Sequence, residues 1–131
     1  MNDNTPALAD SDWPAAFFRD ADSLILENLV SWFADDVDVR FANTPSIVGK
    51  AAAEEAFRQF WSTIKGMSHR RETVVMDGDD AAQGSIVTYT RMDGKVVSMP
   101  VSSHLSRNAA GKLTRLWIYI DLAPLFATDT Q

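Results

Sequence analysis

His69 and His104 are the only histidines in the chain, and imidazole is the side chain that ordinarily changes charge near neutral pH. His69 lies in MSHRRETVVMDGDD, where a helical pattern ending at Gly66 gives way to the alternation of a strand. His104 lies in SSHLS, where strand alternation places it on the same face as Ser102 and Ser106. Such a polar row can form a solvated outer face or the polar wall of a pocket. Either ring could act as a general base if it lined a pocket.

Composition limits the kinds of partner. The chain has 131 residues, the size of one domain, and no cysteine, so it has neither a disulfide framework nor a thiolate metal site. Two histidines without clustered ligand spacing predict no metal, and we expect no other cofactor. A net charge of −6 argues against nucleic acid and anionic membranes as partners. No apolar run is long enough to span a membrane. We therefore expect a soluble, cytoplasmic protein.

Helical periodicity dominates the first half of the chain. A flexible N-terminal segment is predicted for residues 1–12, one domain for 13–126 and a C-terminal tail for 127–131. Asp12 is placed to cap a first helix, WPAAFFRDA. A second helix is predicted from Leu26, Leu29, Val30 and Phe33, and a strand from VDVRF. A third helix is predicted from the apolar stripe Ala53, Phe57, Phe60, Trp61 and Ile64.

Strand alternation dominates the second half. The turn signals MDGDDAAQG, MDGK and RNAAGK divide residues 68–121 into four strands, near 69–76, 84–92, 95–106 and 112–121. Three helices followed by a four-stranded meander predict an α+β fold, with the helices on one side of a curved antiparallel sheet.

This order of elements, with LVSWFADDVDVRF near the start and AAGKLTRLWIYIDLAPLF at the end, resembles the NTF2-like superfamily, and within it the SnoaL-like domains. The resemblance covers about residues 13–126. It implies a cone whose sheet wraps around about three helices and an internal apolar pocket. It also implies a homodimer, because many members dimerise through the sheet. The superfamily includes ketosteroid isomerases, polyketide cyclases, epoxide hydrolases, dehydratases and non-catalytic members, so function depends on the pocket residues.

Three of these activities fit the sequence poorly. In the likeness to ketosteroid isomerases, the tyrosine and base positions fall on Phe17 and Phe41, which can neither donate nor accept a proton. The likeness to limonene-type epoxide hydrolases implies roles for Arg91 and Asp93, but Asp93-Gly94 is a hairpin signal. The aspartate that points into the pocket of those hydrolases corresponds to Ile118 in this chain. The polyketide cyclases have their acid carboxylate at the same position, so this chain lacks that carboxylate as well. Those cyclases do resemble the chain at His104.

The scytalone dehydratases and related dehydrochlorinases give a closer likeness. They pair an aspartate, seven residues before a leucine of the second helix, with a histidine that opens the strand after the third helix. These positions are Asp22 and His69 in this sequence. The resemblance implies that Asp22 fixes the imidazole tautomer and stabilises the imidazolium formed when His69 takes a proton.

We interpret the chain as a cofactor-independent lyase or isomerase, dehydratase-like, that acts on a small apolar substrate. Non-catalytic ligand binding or dimerisation is the alternative, and epoxide hydrolysis the third. In the first interpretation His69 is the base, Asp22 its partner and His104 a donor to a developing oxyanion. The residues expected to contact the substrate are Phe17, Phe41, Phe57, Trp61, Tyr89, Ile118, Tyr119 and Asp121.

Overall fold

The computed structural model describes residues 12–127 and has an α+β fold, as predicted. Residues 1–11 and 128–131, which contain most of the predicted N-terminal segment and C-terminal tail, lie outside the described residues. The helices are α1 (Trp13–Asp22), α2 (Leu26–Val30), α3 (Lys50–Trp61) and α4 (Ala123–Phe126). The strands are β1 (Phe33–Phe41), β2 (Ile47–Val48), β3 (Ile64–Asp77), β4 (Asp80–Arg91), β5 (Val96–Arg107) and β6 (Leu113–Ile120).

The six strands form one curved, unclosed sheet in the order β2-β1-β6-β5-β4-β3. Neighbouring strands are antiparallel except β1 and β6, which run parallel. Because side chains alternate along each strand, one face of the sheet carries the core and the other faces outward. The helices pack on the core face, against residues that include Val87, Met99, Val101, Leu105 and Leu116.

Helix α1 begins at its predicted cap. The backbone N–H of Ala15 donates to Asp12 Oδ1 at 3.4 Å, and Pro14 occupies the first turn, where its missing N–H is not needed. Asp12 also accepts two hydrogen bonds from Arg71 of β3, at 2.8 and 3.1 Å. This ion pair fixes the start of α1 on the sheet.

Two predicted helices end earlier than their apolar stripes suggest. Helix α2 ends at Val30, and Phe33 instead opens β1, where it lies beside Leu113 of β6. The backbone N–H of Leu113 donates to the Trp32 carbonyl at 2.6 Å. Helix α3 ends at Trp61, and Ile64 already pairs with Arg91 of β4. In both places pairing with a distant strand replaces the next helical turn.

The prediction that Gly66 ends the third helix is therefore wrong. Gly66 lies within β3 and pairs with Thr90, beside an irregularity in the register. A Cβ atom at this position would lie 3.0 Å from Thr90 Oγ1, which is closer than side chains normally pack. The glycine permits close approach of the two strands, and His69 lies in mid-strand rather than at the junction of helix and strand.

Two short elements were not predicted. Strand β2 pairs with β1 at the edge of the sheet, and α4 follows β6. Asp121 Oδ1 accepts the Ala123 N–H at 3.0 Å where α4 begins. Among residues 12–127 none of the helices has the length and apolar character that crossing a bilayer demands.

Candidate functional site

The last residue of α1 and the middle of β3 bring Asp22 and His69 together. Asp22 Oδ1 lies 2.6 Å from His69 Nδ1, and Asp22 Oδ2 accepts the backbone N–H of His69 at 2.9 Å. An ionised carboxylate only accepts hydrogen bonds, so Nδ1 carries a proton and donates it. In the neutral ring Nε2 then has a free lone pair. The two residues predicted to form a pair are in direct contact.

The turn after α1 directs Asp22 towards β3. Leu24 has a φ of 57°, a left-handed conformation that is unfavourable for a residue with a side chain. Ser23 bonds within this turn, because its hydroxyl oxygen accepts the Ile25 N–H at 3.2 Å. Asp22 is therefore free of a local capping role, and both its carboxylate oxygens contact His69.

The His69 ring is largely removed from water. Only 10% of the side chain is exposed, and the ring lies 4.8 Å from that of Phe18, centre to centre. It contributes to the wall of a narrow cavity of about 40 Å³ between the helices and the sheet. The lining is mostly aromatic and aliphatic: Phe17, Phe18, Ala21, Leu29, Phe41, Phe57, Phe60, Trp61, Met67, His69, Tyr89, Val101, Ser103, Leu116 and Ile118.

Tyr89 is the second polar group at this cavity. It is 3% exposed, and its hydroxyl has no hydrogen-bond partner within residues 12–127. Burial, and then the negative charge of Asp22, raise the pKa of Tyr89 well above its ordinary value near 10. The hydroxyl therefore stays protonated and can donate to an oxygen atom of a ligand.

Six of the residues expected to contact a substrate do line the cavity. They come from α1, β1, α3, β4 and β6, so five elements converge on one space. These residues are Phe17, Phe41, Phe57, Trp61, Tyr89 and Ile118.

The expectation that His104 faces the pocket is wrong. Its strand neighbours Ser103 and Leu105 are buried on the core face, so His104 points outward and is exposed. There its ring lies 5.1 Å from that of Tyr119, which is 47% exposed. Tyr119 was expected at the pocket and is also on the outer face. Asp121 is exposed at the start of α4, away from the cavity lining.

Arg91 and Asp93 do not lie in the cavity either. Arg91 Nη2 contacts Asp93 Oδ2 at 2.7 Å in the β4–β5 hairpin, where the Asp93 side chain is 56% exposed. Arg91 Nη1 also donates to the Ala127 carbonyl at 2.9 Å. Hydrogen bonding with Lys95 N–H and Arg91 lowers the pKa of Asp93, partly opposed by desolvation. This pair ties the hairpin to the end of α4.

The sequence alone did not identify several polar residues near His69. Arg71 Nε donates to Gln83 Oε1 at 2.9 Å, and Gln83 Nε2 donates to Ser85 Oγ at 3.0 Å. Ser103, only 2% exposed, lines the cavity itself. Val101 and Leu105 lie on the same face of β5 as Ser103, and both are apolar. They were the available signal in the sequence that this face points inward. Within residues 12–127 no three potential ligands cluster as a metal site would require.

Comparison with known proteins agrees with this architecture. A family model for the SnoaL-like domain matches residues 15–116, so the chain belongs to the SnoaL-like domain family. It has the cone-shaped fold of the NTF2-like proteins. No curated protein matches the sequence at a significant level.

Solved structures resemble the chain over most of its length. One is an NTF2-like protein of unknown function from Exiguobacterium sp. 255-15, with 22% identity and a TM-score of 0.70 over 82% of this chain and 97% of the other. A putative SnoaL-like polyketide cyclase from Jannaschia sp. CCS1 shares 12% identity, with a TM-score of 0.76 over 98% and 100%. SalBIII, an epoxide hydrolase/cyclase-like enzyme in pyran ring formation in the polyether salinomycin, shares 13%, with a TM-score of 0.75 over 93% and 97%. At these identities the likeness establishes the fold alone.

Proposed function

We propose that the protein is a cofactor-independent acid–base enzyme, of the lyase or isomerase type, that acts on a small, mostly apolar substrate. The contact between Asp22 and His69 beside an apolar cavity carries this proposal. A carboxylate that holds an imidazole by Nδ1 leaves Nε2 to accept a proton, which is the arrangement a general base requires.

In the proposed reaction, His69 removes a proton from a carbon atom next to a substrate carbonyl. The electrons of the C–H bond form a C=C bond, and the carbonyl oxygen gains negative charge. Tyr89 donates a hydrogen bond to that oxygen, while Asp22 stabilises the imidazolium. The enolate electrons then re-form the carbonyl group. In a β-hydroxy ketone they expel the β-hydroxyl group, which takes the proton from the imidazolium and leaves as water; in a β,γ-unsaturated ketone the imidazolium gives the proton to the γ-carbon of the dienolate. The first outcome is dehydration and the second is isomerisation.

Tyr89 replaces His104 in the role of donor. It lines the same cavity as His69, its hydroxyl has no partner within residues 12–127, and its raised pKa keeps it protonated. His104 lies on the other face of the sheet and cannot reach the same ligand.

The test measures proton exchange, because this step precedes any particular outcome. The protein is incubated in D₂O with small ketones and β-hydroxy ketones, and loss of the α-proton signal and formation of enone are followed by NMR. We expect His69→Ala to lower the rate about 10²- to 10⁴-fold. Asp22→Asn should fold but lose much of the rate, since an amide cannot stabilise a charged ring.

The matched control is His104→Ala, which removes the other histidine from the outer face and should leave the rate unchanged. If the parent protein exchanges the proton and His69→Ala exchanges it equally fast, the assignment of His69 as the base is wrong.

Non-catalytic ligand binding is the second candidate. The observation that favours it is the small, almost wholly apolar cavity, whose few polar lining residues include His69, Tyr89 and Ser103. A ketone that binds to the parent protein, with affinity dependent on Tyr89 but without any proton exchange, would support this alternative.

A further inference from the structure

The cavity beside His69 is too small to hold most substrates. Its volume of about 40 Å³ accommodates only a few water molecules, whereas pockets for organic ligands usually measure some 300–1,000 Å³. A substrate whose reactive carbon reaches His69 must therefore place most of its body in an adjoining space.

An apolar groove of about 330 Å³ adjoins the cavity. It lies between α3 and the β1–β2 connection, with Phe126 of α4 at its border. Three aromatic residues, Phe41, Phe57 and Phe60, line both the groove and the cavity. The remaining lining residues are Val39, Thr44, Ile47, Ala56, Gln59, Thr63 and Phe126.

The aromatic rings that line both spaces are in contact with one another and with Tyr89. The Phe60 ring lies 4.9 Å from that of Phe41 and 5.6 Å, edge-on, from that of Tyr89. Phe41 and Phe60 are only half-buried. Because Phe60 borders both spaces and contacts the Tyr89 ring, its rotation is the movement that would connect the groove with the cavity.

A polar recess of about 320 Å³ adjoins the other side of His69 and is the competing location. It is lined by Ala15 and Phe18 together with the charged or polar residues Arg19, Asp22, His69, Arg71 and Gln83. An apolar body in this recess would remove Asp22 and Arg71 from water without replacing their hydration, which is unfavourable. The groove presents no charged side chain among its lining residues.

We infer that the groove is a binding site for the apolar chain of an amphiphilic substrate, whose oxygen-bearing end enters the cavity past Phe60. The substrate class is then a linear or narrow carbonyl compound with an aliphatic tail, rather than a bulky ring system. This inference rests on the proposed function in one respect, namely that the oxygen-bearing end of the substrate lies in the cavity beside His69.

The experiment measures affinity for the 2-alkanones from 2-butanone to 2-nonanone, by calorimetry. If each added methylene enters the groove, the dissociation constant should fall about fourfold per carbon. Ala56→Trp fills the groove from α3 and should abolish this dependence. Ile47→Trp fills the groove from its opposite wall and should act in the same way, which guards against misfolding of one variant.

Two further variants act as matched controls. Ala51→Trp adds the same side chain at an exposed position of α3 that does not line the groove, and should preserve the chain-length dependence. Ala15→Trp fills the recess and should also preserve it. The groove is excluded as the site if the parent protein shows no dependence on chain length or no binding. It is also excluded if Ala15→Trp abolishes the dependence while folded Ala56→Trp and Ile47→Trp retain it.

Failure of the proposed function gives a different pattern. Tyr89→Phe should weaken the binding of all the ketones by a similar factor without changing the dependence on chain length. If Tyr89→Phe and His69→Ala leave both affinity and proton exchange unchanged while the chain-length dependence persists, the groove is occupied but the polar end is not bound as proposed.

Discussion

Both carboxylate oxygens of Asp22 accept hydrogen bonds from His69 of β3, one from the imidazole ring and one from the backbone N–H. The backbone bond is independent of the protonation state of the ring, so it keeps the carboxylate in position when the imidazole gains or loses a proton. The ring bond fixes which nitrogen is free. Positioning and tautomer are thus set by the same side chain.

Tyr89 supplies a prediction at the same scale. Its pKa is raised in the folded state, chiefly by burial and further by Asp22, so the folded state keeps the proton at pH values where the unfolded chain, with a pKa near 10, has lost it. The unfolded state then binds fewer protons, and stability falls as pH rises above about 10. The contribution of Tyr89 to this slope is about 1.4 kcal/mol per pH unit.

Urea unfolding between pH 9 and 11 measures this effect. Tyr89→Phe should lose stability less steeply with rising pH than the parent protein, because phenylalanine has no proton to lose. Equal slopes for Tyr89→Phe and the parent would contradict a raised pKa at Tyr89.

At the scale of elements, α3 leads directly into β3, the strand that carries His69. Trp61, the last residue of α3, is 9% exposed, and its ring lies 5.9 Å from that of Phe57. Three residues later the chain pairs with β4, so Trp61 links the helical layer to the strand that carries His69.

Truncation of Trp61 tests this link. Trp61→Ala should lower the free energy of unfolding by about 3–5 kcal/mol, as for other buried large aromatic residues. Trp61→Phe retains most of the volume and should lose much less. Chemical denaturation measures both changes, and a loss below about 1 kcal/mol for Trp61→Ala would mean that α3 does not cover the sheet.

At the scale of the whole molecule, the outer face of the sheet remains exposed. Trp117 lies between two guanidinium groups, with Arg40 Cζ at 3.8 Å and Arg115 Cζ at 4.1 Å from the ring centre. Tyr119 and His104 continue this surface across β6 and β5. Aromatic residues and arginine are common at the centres of protein interfaces, and we expect this face to pair with a second copy of the chain.

The predicted homodimer has a mass of twice 14.5 kDa. Light scattering after gel filtration measures it. Tyr119→Glu should shift the protein to the monomer, because a two-fold contact brings the new charge close to its copy. Ile25→Glu adds the same charge at another exposed apolar residue, just before α2, and should leave the dimer intact. A parent protein that remains monomeric at high concentration would contradict the expectation.

The sequence by itself determined the order of the main helices and strands. Asp12 and Pro14 marked the start of α1, and alternation along β5 showed which residues share a face. The seven-residue spacing from Leu29, taken with the family resemblance, indicated Asp22 and paired it with His69. The helix start and the shared strand face follow from local geometry, which each short segment carries within itself, whereas the pairing of Asp22 with His69 was implied by the resemblance.

Only the tertiary structure decided which face points inward and where helices give way to strands. Strand alternation predicts that Ser103 and His104 lie on opposite faces, but it does not say which face is buried. The helices pack on the face that carries Ser103, so Ser103 is buried. Phe33 and Ile64 continue helical stripes in sequence, and yet pairing with Leu113 and Arg91 makes them strand residues. These outcomes depend on contacts between distant segments, whose combined energy exceeds the local preference of any one turn.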